Sequence, residues 1–193
     1  MSADPMPDTA EELARRVRSG DRAALERLLR LLAPRLRGWL GRLLGPRAEL
    51  DDATQELLIE LARALPRFEG RSALSTYCHR IAVRVASRHF GRAGREAPLE
   101  LLPPPPESVD PESRAMDRQL LERLYHVLDG IAPARRVAFV LCAVEGFTPT
   151  EAAAIEGIRA ATMRVRLHRA RRDVEAALAD DPYVRRLEEG RES

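Results

Sequence analysis

The sequence predicts an all-α protein made of two small helical domains joined by a proline-rich linker. Three observations carry that prediction. Apolar residues recur at i, i+3, i+4 and i+7 spacing through most of the chain, and no period-two alternation is long enough for a strand. Residues 96–113, EAPLELLPPPPESVDPES, are rich in proline and acid and hold no basic residue; Pro103 to Pro106 forbid helix and favour an extended polyproline conformation. A chain of 193 residues is long enough for two small domains, each with its own core. The boundaries drawn from this are a helical domain over 8–95, a linker over 96–115, a second helical domain over 116–180 and a charged tail over 181–193.

In the first domain, Thr9-Ala10-Glu11-Glu12 has the form of a capping box ahead of Leu13 and Val17. Ser19-Gly20-Asp21 breaks that helix, and Asp21 caps the next, which carries Leu25, Leu28, Leu29 and Leu32. Pro34 is expected to bend or end this run, with Leu36, Trp39, Leu40, Leu43 and Leu44 forming a further stripe that Gly45-Pro46 closes. The next helix starts at Asp51 or Asp52 and turns Leu57, Leu58, Leu61 and Leu65 to a core. Its polar positions Asp52, Gln55, Glu56 and Glu60 share a face that is either simply solvated or a docking surface for a protein. After a loop over 66–71, Ser72 is the expected cap of a long helix to Arg95 that buries Leu74, Cys78, Ile81 and Val85. That helix exposes His79, Arg80, Arg84, Arg88, His89, Arg92 and Arg95. No acid interrupts 72–95, and arginines interleaved with Tyr77, His79, His89 and Phe90 suit phosphate contacts and base stacking on single-stranded nucleic acid. The alternative is that the aromatics are core and the arginines only solvated.

The second domain opens with an amphipathic helix over 116–129. Another starts at Ile131-Ala132-Pro133, with Val137, Phe139, Val140, Leu141 and Val144 as its apolar mass. Thr148-Pro149-Thr150-Glu151 then combines an N-cap, a first-position proline and a capping box. A short helix with the small residues Ala152, Ala153 and Ala154 follows, then a turn at Gly157, then a helix with Met163, Leu167 and Ala170 inward. This is the helix-turn-helix pattern, whose second helix enters the DNA major groove. That helix carries Arg164, Arg166, His168, Arg169, Arg171 and Arg172 outward, and no acid falls between Gly157 and Arg172. Such charge neutralises phosphates, and arginine can read guanine edges with two hydrogen bonds. A solvated basic face in an ordinary helical bundle would have the same pattern.

Composition bounds the function. The net charge of +2 is nearly neutral and all 32 basic residues are arginine, a bias that a GC-rich genome explains, so clusters carry meaning and the total does not. Cys78 and Cys142 lack metal or redox spacing and read as buried free thiols, in keeping with a cytoplasmic protein. No secretory segment and no apolar run of membrane-spanning length is visible. The carboxylates of 52–60 lack the Glu-x-x-His pairs of helical di-iron sites, and neither His79 nor His89 has a catalytic partner in any known arrangement. No metal, cofactor or enzymatic activity is expected.

Two blocks of residues resemble a known family. Asp52-Ala53-Thr54-Gln55-Glu56, Ala64-Leu65-Pro66-Arg67-Phe68 with Gly70 and Ser72, Thr76-Tyr77 and Arg80-Ile81-Ala82 resemble region two of bacterial sigma factors. Glu145-Gly146-Phe147-Thr148 through Gly157-Ile158, Thr162 and Arg166-Leu167-His168-Arg169-Ala170-Arg171 resemble region four. Their order and separation are those of the small extracytoplasmic-function group, and the likeness covers nearly the whole chain apart from the first residues, the linker and the tail.

That resemblance implies a dissociable subunit giving core RNA polymerase its promoter specificity. It implies that Asp52, Gln55 and Glu56 dock on the polymerase, and that Phe68, Tyr77, Arg80, Arg84 and Arg88 hold the melted downstream promoter element. It puts Arg164, Val165, His168 and Arg169 on bases of the upstream element, with Arg159, Thr162, Arg166 and Arg171 at or near its backbone. Besides core polymerase and promoter DNA, it implies an anti-sigma factor as partner, and no insertion into a membrane. The sequence departs from the family in having Tyr77 where tryptophan is usual, Arg84 where asparagine is usual, and Arg159-Ala160-Ala161 in place of the usual proline and glycine. The competing reading is a free-standing helix-turn-helix repressor or activator, with residues 9–95 as a sensing or dimerising domain.

Overall fold

The computed structural model describes residues 8–45, 49–90, 123–179 and 181. They are helical throughout, with no strand among the described residues. The linker, Arg92, Arg95, the start of the helix before residue 123 and nearly all of the tail lie outside them.

Helix α1 spans Asp8–Arg18. Helix α2, Arg22–Leu44, starts as expected: Asp21 Oδ1 accepts from the Ala24 N–H at 2.9 Å while its other oxygen holds Arg16 at 2.7 Å. The Ala24 N–H and then Arg16 hold the Asp21 carboxyl below its ordinary value. Of the two outcomes expected at Pro34, a bend or an end, the end does not occur: α2 runs through it to Leu44. Leu28, Leu32, Leu36 and Leu40 are all fully buried on one stripe, so a break at Pro34 would forfeit more apolar burial than the one missing backbone hydrogen bond costs. Gly45 closes the helix at φ +79°, as Gly45-Pro46 predicts.

Helix α3, Leu50–Ala64, ends in a 3₁₀ turn over Leu65–Arg67. Helix α4 spans Leu74–His89, and its cap departs from the sequence reading. Ala73 rather than Ser72 occupies the N-cap position, with no cap from its own side chain. The free N–H of Leu74 instead donates to Glu11 Oε1 of α1 at 3.2 Å, a tertiary cap that local sequence does not reveal. Helix α2 packs on α1, α3 and α4, and α3 packs on α4, forming the N-terminal bundle.

In the second half, α5 includes residues 123–130, and α6, Pro133–Phe139, begins on its proline. It passes into a π turn, Val140–Val144, closed by the Glu145 N–H donating to the Val140 carbonyl at 2.9 Å. The wider turn leaves Val144 exposed, where α-helical spacing put it in the core. Helices α7, Pro149–Glu156, and α8, Ala160–Ala179, complete the fold, with α8 against α6 and α7. The halves do not have separate cores. One continuous cluster of buried apolar side chains extends from Ala10 to Val174, and α7 packs on α4.

Candidate nucleic-acid and partner interfaces

The turn between α7 and α8 is fixed by its own residues. The Thr148 N–H donates to Glu151 Oε2 at 2.8 Å and the Glu151 N–H to Thr148 Oγ1 at 3.3 Å, the reciprocal capping box the sequence predicts. Gly157 ends α7 at φ +71°, a left-handed conformation that favours glycine, and the Ile158 N–H returns to the Ala153 carbonyl at 3.0 Å. Helix α8 then lays Met163, Leu167, Ala170 and Val174 on the rest of the half. Those four positions leave the opposite face free, which is why the basic residues share one side.

On that side Arg159, Thr162, Arg164, Val165, His168, Arg169 and Arg171 are all exposed. Val165, at 49% exposure, is an apolar residue set among cations, a position suited to a thymine methyl. Arg166 differs. It is half-buried and ion-paired with Glu156 at the end of α7. Burial raises the Glu156 carboxyl above its ordinary value, and Arg166 opposes that rise. Arg166 therefore braces the α7–α8 corner, which also bears on the backbone role implied for it. Arg135 of α6 similarly holds Asp173 of α8 at 2.7 Å.

The residues implied for the downstream element are more unevenly placed. Arg80 and Arg84 are exposed on α4. Phe68 is buried and Tyr77 half-buried, with ring centroids 4.7 Å apart, and the Tyr77 hydroxyl donates to the Ala64 carbonyl at 3.1 Å. These two rings brace the loop after α3 against α4 and do not form an open stacking platform. Arg88 is committed as well: its guanidinium donates to Glu56 at 3.0 Å and also holds Glu60. His79 and His89, expected outside, are buried. His89 Nε2 lies 2.8 Å from Glu56, and that hydrogen bond, with Arg88 beside it, holds the Glu56 carboxyl below its ordinary value. His79 sits against Trp39 with ring centroids 3.5 Å apart, and its Nδ1 donates to the Ser75 carbonyl.

On α3, Asp52 and Gln55 are exposed, while Glu56 is half-buried in the cluster with Arg88 and His89. The acidic face thus divides into two open positions and one that ties α3 to α4. Sequence reasoning missed Ile59, 52% exposed beside that face. The signal was present, since Ile59 stands off the stripe of Leu50, Ala53, Leu57 and Leu61 that α3 buries. Among the described residues no cluster of candidate metal ligands occurs, and no helix is long and apolar enough to cross a membrane. Cys78 is buried, and burial pushes its thiol up to about 12; Cys142 is half-buried and free.

The arrangement has two counterparts among known proteins. Sigma-70 region 2 matches residues 28–96, and sigma-70 region 4 matches residues 121–174. The ECF RNA polymerase sigma factor SigE of Mycolicibacterium smegmatis is 32% identical over 169 residues, which are 83% of this chain and 65% of that protein. The chain thus spans just under two thirds of the length of that relative. The RNA polymerase sigma-H factor of Pseudomonas aeruginosa is 30% identical over 179 residues, covering 87% of this chain and 93% of the relative. The solved structure of CnrH in complex with the cytosolic domain of CnrY superimposes with a TM-score of 0.66 at 24% identity, over 90% of this chain and 100% of that chain, a likeness of fold. With both regions matched in order and a relative at 30% identity matched over 93% of its length, the chain belongs to the sigma-70 family of RNA polymerase sigma factors, in its extracytoplasmic-function group.

Proposed function

We propose that the chain confers promoter specificity on core RNA polymerase at transcription initiation, and that its two halves divide the work. The observation that carries this is the bare basic face of α8, mounted on a capped helix-turn-helix, in a chain whose other half matches region 2. Arg164, Val165, His168 and Arg169 face the base edges of the upstream element, with Arg159, Thr162 and Arg171 at its phosphates. Arg80 and Arg84 meet the downstream strand, and Asp52, Gln55 and the neighbouring Ile59 form the polymerase-docking face of α3. The domain boundaries 8–95, 96–115, 116–180 and 181–193 belong to the same reading. The chain works by binding energy alone: holding an unstacked base costs a few kcal/mol, repaid by contacts to the separated strand. It acts in the cytoplasm, with a protein partner of the anti-sigma type as its inhibitor; the fold neighbour CnrH is held by the cytosolic domain of another protein. The N-terminal half, which a free-standing repressor would use for sensing or dimerising, is the half that region 2 matches, so that reading is not favoured.

Transcription in vitro with core polymerase, on templates randomised upstream, tests the proposal. The chain should select a two-part asymmetric site. Arg164→Ala and Arg169→Ala should each cost about 1–3 kcal/mol and relax the preference at particular upstream bases. A uniform loss over all templates would reassign those arginines to phosphates, and no RNA from any template would overturn the whole proposal.

A further inference from the structure

The loop between the 3₁₀ turn and α4 does not fix itself. No hydrogen bond joins the N–H groups of residues 69–73 to another described residue. Within the loop Arg71 pairs with Glu69 at 2.7 Å, but both side chains are largely exposed, and such a pair contributes little. What holds the loop comes from α1. The Arg18 guanidinium donates to the Glu69 carbonyl at 3.1 Å, and a Cβ built on Gly70 would stand 3.6 Å from it. At the other end Glu11 accepts from the Leu74 N–H at 3.2 Å. Between these anchors Gly70 turns the chain at φ +73°. Glu11 and Arg18 lie about two turns apart on one face of α1, on the order of 10 Å along its axis. That helix is itself fastened: Ala10, Ala14 and Val17 are buried, Arg16 is tied to the Asp21 cap of α2, and α1 packs on the 3₁₀ turn.

The loop leads into the surface proposed to meet the separated strand. Arg67 at its entrance and Arg71 within it are exposed, as are Arg80 and Arg84 on α4. Burial, then Cys78, raises the Tyr77 hydroxyl above its ordinary value, while Arg80, Arg84 and Arg67 oppose that rise, so three guanidiniums lie around one ring. The loop is thus one wall of a basic surface, and base edges and phosphates are acceptors that its arginines and free N–H groups can meet. We propose that α1, which lies ahead of the stretch 28–96 matched by region 2, is a splint for this loop, with Arg18 and Glu11 as positioning residues that set it for the separated downstream strand. This rests on the sigma-factor reading given above. Neither residue has to touch DNA. A loop left unfixed would be ordered only when the strand binds, and that lost entropy is subtracted from the affinity; α1 orders it beforehand.

Two pairs of variants in the full chain test it. Arg18→Ala and Glu11→Ala each remove one anchor, whereas Arg18→Lys keeps a donor and Glu11→Gln keeps an acceptor. Each is combined with core polymerase and transcribes templates randomised either downstream or upstream. Both alanine variants should lower the preference for the best downstream sequences about fivefold, the factor that one intramolecular hydrogen bond contributes. Upstream preference and holoenzyme yield should not change, and the lysine and glutamine variants should stay close to wild type. In the free chain, the backbone NMR order parameters of residues 69–73 should fall in the alanine variants only. A general loss of folding would lower both preferences together, and that result overturns the splint. So does a pure charge effect: Arg18→Ala removes a positive charge and Glu11→Ala a negative one, so it would weaken one variant and strengthen the other. Unchanged downstream preference in Arg18→Ala overturns the splint by itself, even if Glu11→Ala disrupts the start of α4. Failure of the sigma reading looks different: the order parameters would fall as expected while the wild type transcribes from no template.

Discussion

His79 illustrates how much a single residue's role depends on its surroundings. In sequence it belongs to a basic stretch, His79-Arg80 followed by Arg84 and Arg88, and nothing local distinguishes it from those exposed cations. In the fold it is buried against Trp39 and Phe147, and burial pushes its pKa down to about 4, helped by the nearby Arg42 and Arg35 and opposed by the Ser75 carbonyl. Its Nε2 has no hydrogen-bond partner and stands 4.0 Å from the Glu145 carboxylate. The ring is therefore neutral at pH 7. Because the folded value lies below the unfolded value near 6.5, acidification protonates the unfolded chain first. Stability is fully present above pH ~6.5 and is lost as the pH falls through about 4. The loss attributable to this group should approach about 3 kcal/mol, and urea melts at pH 7 and pH 4.5 should show it in the wild type and much less in His79→Gln. Arg136 makes the same point about legibility. Arg135 and Arg136 are adjacent and chemically identical, yet one is half-buried at the surface with Asp173 and the other is 1% exposed beneath α2.

At the scale of the element, helix ends with local chemistry were legible and those satisfied from a distance were not. Asp21, the Thr148–Glu151 box, Gly45 and Gly157 act where the sequence puts them because their hydrogen bonds or dihedral needs are internal to a few residues. The start of α4 was misplaced because its cap comes from Glu11, 63 residues earlier. The π turn was not legible, since VLCAV has the periodicity of an ordinary helix. The legible elements permit firm expectations. Thr148→Ala should lower stability by about 1 kcal/mol, with Thr148→Ser close to wild type in thermal melts. Gly157→Ala meets open space, so its cost is the left-handed backbone alone, about 1–2 kcal/mol. On α3, Asp52→Arg should weaken co-purification with core polymerase and leave the melting temperature unchanged, because Asp52 is exposed. The same reversal at Glu56 should also destabilise the fold, since it would break the cluster with Arg88 and His89.

For the molecule as a whole, the division into a region-2 and a region-4 half was legible from the two motif blocks and the proline-rich stretch between them. Their docking was not. The contacts that make it are long-range and join residue types that each have an ordinary local explanation: a terminal arginine, a helix-ending glycine, an aromatic before a cap. Gly45 shows the dependence most directly, because its φ of +79° with ψ of −173° is a conformation essentially restricted to glycine and its open side is filled by Tyr125 and Arg136. Gly45→Val should therefore destabilise by about 2–4 kcal/mol, combining backbone strain with overpacking, and calorimetry of the full chain should resolve it. Trp39 is the only tryptophan in the chain, and it lies against an uncharged imidazole at this junction. An imidazolium quenches indole emission where a neutral ring does so weakly, and an indole in water emits at longer wavelength than one in a protein interior. The molecule consequently carries its own optical gauge: brightness reports the charge on His79, and colour reports whether Trp39 stays buried.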